Sequence, residues 1–193
     1  MTHTRTWIKP EGAEYASIDL AADHLIATGT AVGGDPMPYR LTYRLTTTHG
    51  WVTSRLLVET EGGSWRRRLD LRHHDGTWTI DTEADGSPDL PPPGGDPAAL
   101  TGALDCDLGL SPLTNTMPVL RAGLLHGGGP VDFLMAWVSV PDLAVVPSTQ
   151  TYTFVRRLDD GASVRFASPG FTREVEFDAS GLVRDYPSIG RAV

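Results

Sequence analysis

The sequence predicts a fold built mainly from antiparallel β-strands, and three observations carry that prediction. Apolar and polar residues alternate with period two over much of the chain. Turn signals rich in Gly and Asp separate those runs at short intervals, and one segment alone carries helix signals. Successive side chains on a strand point to opposite faces, so this alternation buries one face and wets the other.

In order along the chain, Tyr15, Ser17 and Asp19 alternate with Ala16, Ile18 and Leu20, and the pattern continues from His24 to Thr30. Tyr39, Leu41, Tyr43 and Leu45 then share one face. After His49-Gly50 the run Trp51 to Glu59 turns back, which reads as a β-hairpin. Ser64 to Arg72 and Thr77 to Ile80 flank the turn His74-Asp75-Gly76, giving a meander of sequential strands. Residues 81–97, with Pro91-Pro92-Pro93 and Gly94-Gly95, read as a long surface loop rather than a linker, because neither half would bury much core alone. A short helix is expected over Pro118 to Leu125, with Asn115 or Thr116 as N-cap. Strands return at Val131 to Val140, Ala144 to Arg157, Ser163 to Ala167 and Phe171 to Phe177. Asp159-Asp160-Gly161 and Asp178-Ala179-Ser180-Gly181 make turns, and no internal repeat is present.

At 193 residues the chain fits one domain, spanning 1–193. Hydrophobic content of 40% and charged content of 21% are those of globular chains. A net charge of −8 argues against a nucleic-acid partner, which needs clustered cations to displace counterions from phosphates. Arg66-Arg67-Arg68 lies in a strand-like stretch and reads as a solvated face or a barrel interior. The longest apolar run, near Phe133 to Val140, is far shorter than the ~20 residues of a membrane-spanning helix. Cys106 is the only cysteine, and the first thirty residues lack the basic and apolar regions of a signal peptide, so a cytoplasmic protein is expected.

The chemistry-bearing residues concentrate in Leu104 to Leu108 and Ser111 to Arg121. Asp105 and Asp107, at i and i+2 on a strand, share a face at ~7 Å. Such a pair can split its pKa values for acid/base work, hold a cation with Asn115, or accept backbone N–H bonds and pair with Arg121 as a buried structural turn. His73 and His74, adjacent on a strand, face opposite ways and do not form a metal pair. Cys106, between two acids, reads as a small buried residue rather than a nucleophile. No nucleophile elbow, phosphate-binding loop or dinucleotide fingerprint occurs, and no cofactor is implied. The dispersed aromatic residues fit either a solid core or an apolar cavity.

Asp105-Cys106-Asp107-Leu108, with Ser111-Pro112-Leu113-Thr114-Asn115-Thr116-Met117-Pro118 and Arg121, resembles the signature of the bacterial putative glycolipid-binding family, formerly a domain of unknown function. Trp51 with Arg55, Gly76 with Trp78, Gln150 with Tyr152, and Gly181-Leu182-Val183 before Tyr186-Pro187 fall in that family's order, so the resemblance covers nearly the whole chain. It implies an antiparallel β-roll or incomplete barrel wrapped around a short helical segment, similar in shape to periplasmic lipoprotein carriers and a mycobacterial lipid-binding lipoprotein, with an apolar cavity. Unlike those carriers, this sequence shows no signal peptide and no lipid-attachment cysteine.

The expected function is therefore non-enzymatic binding of a lipid or glycolipid-like amphiphile. Leu41, Tyr43, Trp51, Trp65, Trp78, Phe133 and Trp137 would take the tail, and Asn115, Arg121 and Tyr152 the head group. The full set of candidate ligand-binding residues is Asp105, Asp107, Asn115, Arg121, Gln150, Tyr152, Trp51, Arg55 and Trp78. Two alternatives stand beside it: an enzyme on a small or amphiphilic substrate using Asp105 or Asp107 with Arg121, and an interaction module that recruits a protein through exposed edge strands.

Overall fold

A computed structural model describes residues 1–193. Seven strands form the first half: β1 (Thr2–Lys9), β2 (Gly12–Leu20), β3 (Leu25–Gly33), β4 (Tyr39–Thr47), β5 (Thr53–Gly62), β6 (Trp65–His74) and β7 (Thr77–Asp85). The second half holds β8 (Asp105–Leu108), a single short helix α1 (Thr116–Arg121), β9 (Val131–Val138), β10 (Val145–Leu158), β11 (Gly161–Ser168), β12 (Phe171–Phe177), β13 (Val183–Tyr186) and β14 (Gly190–Ala192). The period-two signal becomes burial: along β3, Leu25, Ala27, Gly29 and Ala31 are buried while their neighbours are exposed.

All fourteen strands join one sheet in the order β7-β6-β5-β4-β3-β2-β1-β14-β13-β12-β11-β10-β9-β8. Each half is a meander, and the pairing of β1 with β14, through Trp7 and Ala192, splices them at the middle of the sheet. Every pairing is antiparallel except that of β8 with β9, which is parallel. The sheet curls but does not close into a barrel, since β7 and β8 are its two free ends. What draws the ends together is the segment after β7. Gly94 donates to Leu143 O (2.8 Å) and accepts from Val145 N–H (2.9 Å), while Thr60 Oγ1 donates to Pro141 O (2.8 Å).

Two apolar clusters fill the roll. The larger, of 27 residues, runs from Trp7 and Ile18 to Leu71, Leu108 and Met117, and the smaller, of 12, contains Val119, Tyr152, Phe166 and Phe177. Met117 and Val119 place α1 in both clusters, so the helix is the plug around which the sheet wraps.

Several boundaries differ from those read in the sequence. β7 continues to Asp85, so the loop begins later than residue 81; the exposed, polar second half of that strand carries no hydrophobic signal. Trp51 sits in a 3-10 turn before β5 with φ 56°, not on the strand. The helix occupies residues 116–121 rather than 118–125. Asn115 stands at its cap position without bonding a helix N–H. The triple arginine divides between both expectations: Arg66 and Arg68 pair with Glu59 on the outside, while Arg67 is buried and donates to the carbonyls of Pro91, Leu90 and Asp142. No helix is long and apolar enough to cross a membrane.

Candidate functional site

The site is assembled at the end of the sheet where β8, β9 and β10 meet α1. Asp105 and Asp107 share one face of β8, as their spacing requires, and Cys106 and Leu108 turn to the larger cluster on the other face. Gln150 and Tyr152 occupy equivalent i and i+2 positions on β10. Asn115 arrives on the turn leading into α1 and Arg121 on the helix's last turn.

The two carboxylates have different fates. Asp105, fully buried, is gripped through both oxygens by Arg121 Nη1 (2.7 Å) and Nη2. Burial nevertheless raises its pKa, against the lowering effect of the guanidinium. The Arg121 guanidinium also lies over the Phe133 ring, 5.4 Å from its centroid. Asp107 is half-buried and opens onto a cleft. Thr114 Oγ1 donates to its Oδ1 (2.8 Å) and Gln150 Nε2 to its Oδ2 (2.7 Å). Burial raises its pKa too, ahead of the opposing effect of those two donors. Neither acid takes a backbone N–H, so the structural alternative read in the sequence holds for the Asp105–Arg121 pair and not for backbone capping.

The Tyr152 hydroxyl joins the network from below, within donating distance of Asn115 Oδ1 (2.9 Å) and Gln150 Oε1 (3.1 Å). Its ring packs edge-on against Phe133 and Phe166, and burial beside Asp107 pushes its pKa well up, so it remains a donor. Asn115 Nδ2 donates to Pro112 O (3.2 Å). These bonds fix the orientation of both amides.

Above the network lies a half-open cleft of about 470 Å³. Asp107, Asn115 and Gln150 form part of its floor, with Trp137, Phe166, Phe171 and Tyr186 among its walls. Leu110 stands at its edge, exposed, with φ 61°, a backbone region that a leucine enters at a cost. A second support comes from β2. Glu14 is buried and accepts from Ser111 Oγ (2.6 Å), Tyr43 Oη (2.9 Å) and Lys9 Nζ (2.6 Å), which anchors the cleft-lining Ser111 to the opposite half of the sheet. Tyr43 reaches Glu14 because its ring lies across Gly29 on β3, where a Cβ would collide with it.

Of the nine candidates from the sequence, Asp107, Asn115 and Gln150 line the cleft, and Asp105, Arg121 and Tyr152 lie among the groups that support it. Trp51, Arg55 and Trp78 lie elsewhere. Arg55 bonds Asp70 on the outer face (2.7 Å), Trp51 packs on the larger cluster, and Trp78 stacks on His73 and donates to Ala103 O (3.0 Å). Among the aromatic and aliphatic residues assigned to a tail, Leu41, Tyr43, Trp65 and Trp78 are core, and Trp137 alone reaches the cleft. Glu14 and the wall residues Phe166, Phe171 and Ile189 were missed. Glu14 had a signal: it shares strand parity with Ala16 and Ile18, an acid in phase with a buried face. No three His, Cys, Asp or Glu side chains converge as metal ligands.

A family model described as Putative glycolipid-binding matches residues 4–192. The chain belongs to that family. A crystal structure of a DUF1089 family protein from Pseudomonas aeruginosa is similar to it, at 26% identity over 93% of this chain and 92% of that one, with a TM-score of 0.70. No curated protein matches. In this member of the Putative glycolipid-binding family, the cleft over Asp107 brings polar and apolar groups together around open space.

Proposed function

We propose that this protein binds a lipid or glycolipid-like amphiphile in the cleft over Asp107. The observation that carries the proposal is the pairing, within one opening of about 470 Å³, of a prearranged polar floor with aromatic and aliphatic walls. Pockets of roughly 300–1,000 Å³ with mostly apolar walls and a few fixed polar groups are the usual form of small-molecule sites. Asp107, Gln150 and Asn115 would meet the head group, held in place by Thr114 and Tyr152. Trp137, Phe171, Leu110 and Ile189 would cover the start of the tail. The family description supports the same ligand class.

The enzyme alternative has less behind it, because Asp105 and Arg121 are spent on one another, so the second carboxylate and the guanidinium it called on are not free to act with Asp107. The cytoplasm is the compartment we propose, where the free, buried Cys106 would stay reduced. Native mass spectrometry of the protein purified from its own host, followed by denaturing extraction, tests the proposal. A stoichiometric amphiphile is expected. A protein that emerges empty and takes up no lipid or glycolipid from a panel would refute it.

A further inference from the structure

An arginine fork that no carboxylate fills stands beside the cleft. Resting on the site proposed above, we infer that Arg173, Ser188 and Tyr186 form an oxyanion subsite at the cleft's rim, taking a carboxylate or phosphate ester group carried by the bound amphiphile.

Arg173 lies on β12 in phase with Phe171 and Val175 and directly opposite Phe166 on β11, so it shares a sheet face with two cleft-wall residues. Its guanidinium rests over the Phe171 ring, 4.6 Å from the centroid, and Nη1 donates to Thr172 O at 2.8 Å. The remaining edge, formed by Nε and Nη2, meets the Ser188 hydroxyl alone, at 3.4 Å from each nitrogen. Elsewhere in the chain that edge is filled. Arg55 uses it to grip Asp70 through two bonds of 2.7 Å, and Arg121 holds both oxygens of Asp105 through its two Nη groups. A planar fork held in place by an aromatic ring, with its paired donors open, fits two oxygens of a carboxylate or phosphate.

Tyr186 is an independent observation that points to the same ligand. It is 6% exposed, lines the cleft and packs on Phe166 and Phe171, yet its hydroxyl bonds no group of the protein. Burial, with Asp107 adding to it, pushes its pKa up against the opposing pull of Arg173, so the phenol stays a donor and lies within electrostatic range of both charges. A bond from Ile189 N–H to Tyr186 O (2.9 Å) closes the turn that sets Ser188 beside the guanidinium. Fork, phenol and serine all donate, and an oxyanion accepts from all three. The other cations near the cleft are committed, Arg121 to Asp105 and Lys9 to Glu14. Asp107 repels an anion, but each of its oxygens already holds a donor, and the charge-assisted bonds at Arg173 are roughly twice as strong as neutral ones.

The test holds the tail constant and varies the head. The full-length protein and its Arg173→Gln, Arg173→Lys and Tyr186→Phe variants are titrated calorimetrically with dodecyl phosphate and dodecyl β-glucoside, each below its micelle concentration, and with inorganic phosphate. Arg173→Gln should weaken dodecyl phosphate about tenfold and leave the glucoside unchanged, which also shows that the variant is folded. Arg173→Lys should recover part of the loss, Tyr186→Phe should cost dodecyl phosphate about threefold, and inorganic phosphate should bind far more weakly than its dodecyl ester. Dodecyl phosphate binding that is indifferent to Arg173→Gln, or glucoside binding without phosphate binding, would overturn the oxyanion subsite and leave amphiphile binding standing. Inorganic phosphate bound as tightly as the ester would overturn the link between this subsite and an amphiphile. Failure of both dodecyl probes to bind would remove the subsite and the proposed function together.

Discussion

Gln150 holds Asp107 in place: its Nε2 donates to Oδ2 at 2.7 Å, and its own Oε1 faces the Tyr152 hydroxyl at 3.1 Å. The carboxylate is thereby aimed rather than free to rotate. Gln150→Leu should leave the fold intact, cost about 1–2 kcal/mol of stability for the unpaired buried groups, and weaken a bound glycoside roughly tenfold. Asp107→Asn, which keeps the shape but changes an acceptor into a donor, should weaken it comparably. Calorimetric titration beside a denaturant melt separates the two effects.

Asp105 and Arg121 form a pair of a different kind, with Asp105 wholly buried and its partner largely so. Removing one member leaves a buried charge without compensation, which costs roughly 3–5 kcal/mol. Arg121→Met should therefore destabilise strongly. The double variant Asp105→Leu with Arg121→Met should recover much of the loss, as urea unfolding midpoints would report.

Cys106 should be inert in the folded protein. Its thiol is buried, accepts from Thr53 Oγ1 at 3.5 Å, and is pushed up to about 12 by burial, with Asp105 and Asp107 adding to the shift. Iodoacetamide at pH 8 should label it only as fast as the chain unfolds. Rapid labelling under native conditions would contradict this placement.

On the outer face, burial beneath two guanidinium groups would by itself raise the Asp70 pKa, but the bonds from Arg55 and Arg72 outweigh it and hold the group at about 2, below its ordinary 3.8. A carboxylate lowered on folding stabilises the native state above its unfolded pKa and loses that contribution as the pH falls toward the folded value. Both arginines are partly exposed, so the contribution is screened to about 1–2 kcal/mol. Wild type and Asp70→Asn should differ by that amount at pH 6 and converge between pH 4 and pH 2 in thermal melts. Arg55→Ala should share this stability phenotype and leave ligand affinity unchanged, because Arg55 is remote from the cleft.

What the sequence disclosed follows from how local each signal is. β3 and β4 were legible because each buries one clean parity of side chains, and the β4–β5 hairpin because its turn is short. β1 was not: among its eight residues only Trp7 is buried, and its place in the sheet depends on pairing with β14 from the other end of the chain. β13 and β14, at four and three residues, are too short to show a period. The parallel β8–β9 pair has no local signature, because Asp105–Leu108 could face either direction. At the site, the Asp105–Asp107 parity could be read from spacing, and so could the Gln150–Tyr152 parity. Which tryptophans face open space could not, since Trp78 in the core sits on an alternating strand while Trp137 at the cleft sits in a nearly continuous apolar run that assigns it to neither face.

The most direct test of the central claim is a nitrogen-15 amide NMR titration with dodecyl β-glucoside below its micelle concentration. Saturable shifts confined to residues 107–111, 137–140, 148–150 and the adjoining 166–171 and 186–189 would place the amphiphile where the account puts it. Shifts centred on Arg55 and Trp78, or none at saturating probe, would contradict it.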